Sequence, residues 1–113
     1  MKIKICGQSI NVILTTEPVI VDGNPAYGYA DYQKNEIVIA VMKTTDPFVT
    51  FIHETTHMFN MLTNPNVTKD SKFNEEERAQ YVANVIAMLL RENGNDLFIK
   101  FRQEWDKALK GAL

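Results

Sequence analysis

The chain opens with alternating polar and apolar residues, Met1-Lys2-Ile3-Lys4-Ile5-Cys6, the period of a half-buried strand. Residues 9–15 are also rich in strand formers, and Gly7-Gln8 between the two segments reads as a hairpin turn. Residues 16–26 hold Pro18, Asp22, Gly23, Asn24 and Pro25, so a loop is expected there, with a short extended piece at Val19-Ile20-Val21. A second hairpin is expected from the apolar runs Tyr27 to Tyr32 and Glu36 to Met42, turning at Gln33-Lys34-Asn35.

The period then changes. Asp46-Pro47 is an N-cap residue followed by proline at the first helical position, and Asn64-Pro65 marks the stop. A second helix is expected from Asn74, with Glu77 completing a capping-box-like pair, to Asn93-Gly94. A third, over about residues 96–110, carries Leu97, Phe101, Trp105 and Leu109 at intervals of four. Strands before helices predict an α+β fold: a twisted, mostly antiparallel sheet of three to four strands followed by three helices, in one domain over residues 1–113.

Composition narrows the function classes. A length of 113 residues with 45% hydrophobic content supports one modest core. A net charge of −2, with lysines and arginines scattered, gives no basis for nucleic acid as a partner. No apolar stretch approaches a membrane span, and the alternating N-terminus lacks the apolar core of a signal peptide. With the single cysteine Cys6, a reduced cytoplasmic setting is the expectation, and the sequon Asn66-Val67-Thr68 then has no role.

The chemistry-bearing pattern is His53-Glu54-Thr55-Thr56-His57, which contains both histidines of the chain. On a helix, residues four apart share a face one turn apart, so the two imidazoles can ligate one zinc ion. Glu54 lies one position on, beside the metal rather than on it, where a carboxylate acts as general base toward bound water. At 100° per residue, Phe48, Phe51, Ile52, Met58, Phe59 and Leu62 centre on the opposite side, while Thr50 and Asn60 share the histidine side. The helix is expected to bury the aromatic side and present the histidines on a polar one.

A catalytic zinc takes three protein ligands. No third histidine exists, and Cys6 is remote in the chain, so a carboxylate is expected from Asn74-Glu75-Glu76-Glu77 at the second helix start. Glu76 fits best, because it shares a face with Gln80, Ala83 and Ala87, and a row of alanines lets two helices approach closely; Glu75 and Glu77 are the alternatives. Gln80, one turn after Glu76, is placed to accept a hydrogen bond from a ligating imidazole and fix its tautomer.

These residues resemble a family. His53-Glu54-x-x-His57 followed by Glu76 is similar to the gluzincin metallopeptidase pattern, and Glu76-x-x-Ala79-Gln80 to its glutamate-helix signature. More narrowly, residues 27–93 resemble the small ImmA/IrrE-type metallopeptidase domains of phages and mobile elements, through Glu76-Glu77-Arg78-Ala79-Gln80-Tyr81-Val82-Ala83 and the hairpin Gly28 to Asp31, Glu36 to Ile39. Gln80 stands where that family usually carries an acidic residue or asparagine. The resemblance implies Zn2+ on His53, His57 and Glu76, catalysis by Glu54, and an intracellular protein or peptide substrate. It also implies substrate held in extended form along the strand before the zinc helix, here Ile37, Val38, Ile39 and Ala40, expected at a sheet edge. Tyr81 and Arg78 are candidates to steady an oxyanion by their place in the sequence alone. The alternative in another class is a hydrolytically idle zincin-fold module that binds a protein partner.

Overall fold

The computed structural model describes residues 1–63 and 75–111. Two hairpins, a miniature hairpin between them and three helices make an α+β fold. Strands β1 (Lys2–Ile5) and β2 (Gln8–Thr15) form the first hairpin, with Ile5 opposite Gln8. Only Cys6 and Gly7 turn between them, both at positive φ (50° and 77°), the geometry that matches the right-handed twist of paired strands. Residues 16–26 are more ordered than a loop. Strands β3 (Ile20–Val21) and β4 (Asn24–Pro25) pair across Asp22-Gly23, a second turn with two positive φ angles. Strands β5 (Gly28–Asp31) and β6 (Glu36–Ala40) form the expected later hairpin, whose loop is folded by Asp31 Oδ1 accepting the Gln33 and Lys34 amides at 3.1 Å.

The main sheet runs β1-β2-β6-β5. Its outer pairings are antiparallel, but β2 and β6 pair in parallel, Asn11 opposite Glu36 through Thr15 opposite Ala40. Strand β6 is therefore interior. The expectation that Ile37 to Ala40 lie at a sheet edge is corrected: β2 and β5 occupy the two sides of that backbone, and among the described residues the edges of this sheet are β1 and β5. Both faces of β6 are covered as well. Ile37 and Ile39 join Ile3, Ile5, Ile10 and Val12 in the core under the helices, while Val38 and Ala40 pack with Val19 beneath the β3–β4 hairpin.

Helix α1 (Pro47–Thr63) starts where expected, Asp46 Oδ1 accepting the Phe48 amide at 2.9 Å. Helix α2 (Glu75–Asn93) ends at Gly94, whose φ of 91° permits its amide to reach the Leu90 carbonyl at 2.9 Å. The Asn74 cap, the Asn64-Pro65 stop and the Asn66 sequon lie outside the described residues. Helix α3 (Leu97–Gly111) buries Leu97 and Phe101, half-buries Trp105 and leaves Leu109 exposed, so the expected stripe loses its core contact toward the C-terminus. Phe101 stacks on Phe51 at 4.5 Å between centroids and meets Phe48 at 4.9 Å, which fixes α1 to α3. The end of α2 clamps the outer edge of β1. Asn93 exchanges two hydrogen bonds with the Lys4 backbone (2.6 and 2.9 Å), and Glu92 accepts the Cys6 and Gly7 amides (2.8 and 2.6 Å). Among the described residues no helix is long and apolar enough to cross a membrane.

Candidate metal centre

Helix α1 turns its buried side, Phe51, Glu54, Thr55 and Met58, to the sheet and leaves His53 and His57 exposed. Thr50 departs from expectation: it is buried, because α1 seats directly on β5. A Cβ on Gly28 would stand 2.6 Å from the Val38 carbonyl oxygen, 2.9 Å from Thr50 Cγ2 and 3.5 Å from Glu54 Cγ. Only a residue without a side chain admits so close a seat, and sequence periodicity carries no sign of it.

That seat sets the electrostatics of the site. Glu54 is 8% exposed, and desolvation pushes its pKa up from the ordinary carboxylate range, with His53 pulling in the opposite direction. Tyr32, in the hairpin loop beyond β5, is pushed up by burial and by the negative charge of Glu54. The two Nε2 atoms of His53 and His57 lie 3.0 Å apart, and Glu54 Oε1 is 4.0 Å from the His53 Nε2. The structure thus brings together three of the predicted site residues: two imidazoles in contact through their Nε2 atoms and a buried carboxylate beside them.

The remaining predicted residues are placed differently. Glu76 and Gln80 are exposed on α2, as are Ala83 and Ala87. The alanine row does not mediate the approach of α2 to α1. The helices meet through Tyr81, whose ring packs edge-on to Phe59 and whose hydroxyl donates to Asn60 Oδ1 at 3.0 Å. Larger side chains won because α2 must also fill the core with Val85, Met88 and Leu89, and Tyr81 continues that face. Tyr81 therefore ties two helices together. Gln80 donates to Asn84 Oδ1 at 3.0 Å, one turn along its own helix, rather than accepting from an imidazole. Among the described residues no group of three or more His, Cys, Asp or Glu is gathered as a metal cluster. The Glu75 side chain lies outside them.

Two hollows flank His53. One, of about 300 Å³, runs along Tyr27, Gly28, Thr50 and Glu54 at the free side of β5. The other, of about 490 Å³, opens between α1 and α2 beside His57. Val49 and His53 stand in the walls of both. The Tyr27-Gly28 contribution was not legible from motif spacing, since it depends on β5 and not β6 lying at the edge. Compared with known proteins, the chain matches no family model, no curated protein and no solved structure.

Proposed function

We propose that this chain is a zinc-dependent peptidase in which His53 and His57, with Glu76 from the first turn of α2, hold the metal and Glu54 is the general base. The observation that carries the reading is the pair of Nε2 atoms 3.0 Å apart on an exposed helix face, next to a buried carboxylate of raised pKa. Two nitrogens bonded to one zinc at about 2.0–2.1 Å with a tetrahedral angle stand about 3.3 Å apart, so the rings need little adjustment to share an ion. The donor set also fits: two imidazoles and a carboxylate leave a coordination position open for water.

Bound zinc supplies Lewis acidity, polarising a peptide carbonyl and lowering the pKa of coordinated water. Glu54 takes the proton of the attacking water and returns it to the leaving amine. Its burial against β5 favours the protonated form, which suits the second of these steps. The outer edge of β5 offers the backbone donors and acceptors that do not pair with β6 to an extended segment of protein or peptide beside Glu54.

A second reading keeps the fold but makes the histidine face a binding surface without hydrolysis. The exposure of Glu76 on a face turned from the α1 contact favours it. Metal analysis of wild type, His53→Ala and Glu76→Ala, with cleavage assays of Glu54→Gln, separates the two. The peptidase should bind about one zinc, lose it in the first two variants, and in Glu54→Gln keep the metal while losing roughly 10²-fold or more in hydrolysis. Equal metal content in all three, or undiminished cleavage by Glu54→Gln, would overturn the assignment.

A further inference from the structure

We infer that Glu92 and Asn93 are positioning residues: their clamp on β1 sets the roll and tilt of α2, and with them where the carboxylate of its first turn stands. The inference rests on the peptidase reading for the role of that carboxylate. The clamp itself lies at the far end of the helix, outside both hollows.

Helix α2 has two unequal halves. Val85, Met88 and Leu89 bury its second half in the core. Ahead of Val85, residues 76–84 are exposed apart from the half-buried Tyr81. The buried side chains lie within little more than one turn of each other, and apolar attraction has no direction of its own. A helix held there by apolar contact alone can rock along its length and turn about its axis.

Hydrogen bonds supply the missing direction. Asn93 Oδ1 accepts the Lys4 amide at 2.6 Å, and its Nδ2 donates to the Lys4 and Leu89 carbonyls, both at 2.9 Å. Both Nδ2 hydrogens are therefore used, and the carboxamide plane is fixed. Glu92 takes the Cys6 amide on Oε2 and the Gly7 amide on Oε1, at 2.8 and 2.6 Å. Neighbouring residues stand about 100° apart round a helix, so the two side chains grip β1 from different sides, one at the strand and one at its turn. Two such grips fix roll as well as tilt.

The length of α2 makes that control matter. Glu76 precedes Leu89 by 13 residues, about 20 Å along the axis at about 1.5 Å per residue. A tilt of about 3° about Leu89 thus moves the first turn by about 1 Å, where metal–ligand distances tolerate about 0.2 Å. Roll decides which side of that turn faces α1. The histidines take their place from the sheet through the seat of α1 on Gly28, and the clamp refers α2 to the same sheet through Lys4.

The test uses the full chain, with zinc ion as the probe. Zinc affinity, read by competition with a chromophoric chelator, should fall about 10-fold or more in Asn93→Ala, the usual effect of removing a support of a metal ligand. Glu92→Ala should follow it. Val19→Ala removes buried methyl groups on the other face of the sheet; it should lower stability comparably and leave the affinity in place. In a double-mutant cycle, Asn93→Ala should cost no further affinity once Glu76→Ala has removed the carboxylate. Metal-free protein gives a second readout. Residual dipolar couplings of the Arg78 to Ala83 amides, referred to those of β6, should show α2 turned in Asn93→Ala and unturned in Val19→Ala. An α2 direction unchanged in Asn93→Ala, or an affinity loss that is the same with and without Glu76, would overturn the inference. Wild-type zinc affinity in Glu76→Ala would instead count against the metal assignment, with the dipolar couplings still deciding what the clamp does to α2.

Discussion

Replacing Gly28 by alanine tests the contact that shapes the site. The added Cβ meets the Val38 carbonyl oxygen at 2.6 Å and Thr50 Cγ2 at 2.9 Å, where ordinary contact begins at 3.4 Å. Val38 belongs to β6, which is hydrogen-bonded on both sides and buried on both faces, so that oxygen cannot retreat. Strand β5 has to move outward by several tenths of an ångström, and α1 with it. Overpacking of this kind costs about 1–3 kcal/mol. The loss of backbone freedom in the unfolded chain returns about 0.4–1 kcal/mol, since Gly28 has no positive φ to preserve. A net destabilisation of about 1–2 kcal/mol follows, roughly 4–8 °C in melting temperature for a domain of this size. Urea unfolding measures it directly, and the slope should be unchanged. Thr50→Ser removes the Cγ2 methyl alone. In a double-mutant cycle it should recover part of the loss, while the Val38 part remains. An alanine variant as stable as wild type, or a cycle with no coupling to Thr50, would refute the seat of α1 on β5 as described.

Two further predictions follow from the same structure. Because burial raises the Glu54 pKa, the metal-free folded chain binds that proton more tightly than the unfolded chain, and stability falls as pH rises from the ordinary glutamate range through the raised value. Metal-free Glu54→Gln should accordingly be more stable than wild type at pH 7, with the gap closing as the pH is lowered; urea midpoints showing a pH-independent gap would contradict this. Asn93→Ala removes both bonds to the Lys4 backbone and one to the Leu89 carbonyl, and should cost about 1–2 kcal/mol. Hydrogen exchange at the Lys4 amide should accelerate more than at Ile39 in the sheet interior, and equal acceleration at the two would show that the clamp is not local.

Much of the architecture was legible because its signals are local. Asp46-Pro47 and Gly94 mark helix ends through the hydrogen bonds that the terminal amides and carbonyls need, and those bonds formed where the residues stand. The histidine pair was legible for the same reason: residues four apart on one helix meet whatever surrounds them. Asp22-Gly23 carried a signal too, since that dipeptide favours two successive positive φ angles. The prolines around it masked the two-residue strands on either side.

The order of the four main strands and three helices, and the meeting of the two histidines on one face of α1, follow from local sequence signals alone. Tertiary structure alone decided which strand is the edge, how deeply Glu54 is buried, and which side of α2 meets α1. The parallel pairing of β2 with β6 joins segments about twenty residues apart, and nothing in either segment's alternation names its partner. That one pairing sends β6 to the interior and β5 to the rim. The missing Cβ of Gly28 then lets α1 close on β5, and a glutamate whose position along the helix says nothing about its solvent becomes a carboxyl of raised pKa. On α2 the core's demand for volume turned Tyr81, Val85 and Leu89 inward and the alanine row outward, because burying large apolar side chains outweighs a closer helix contact.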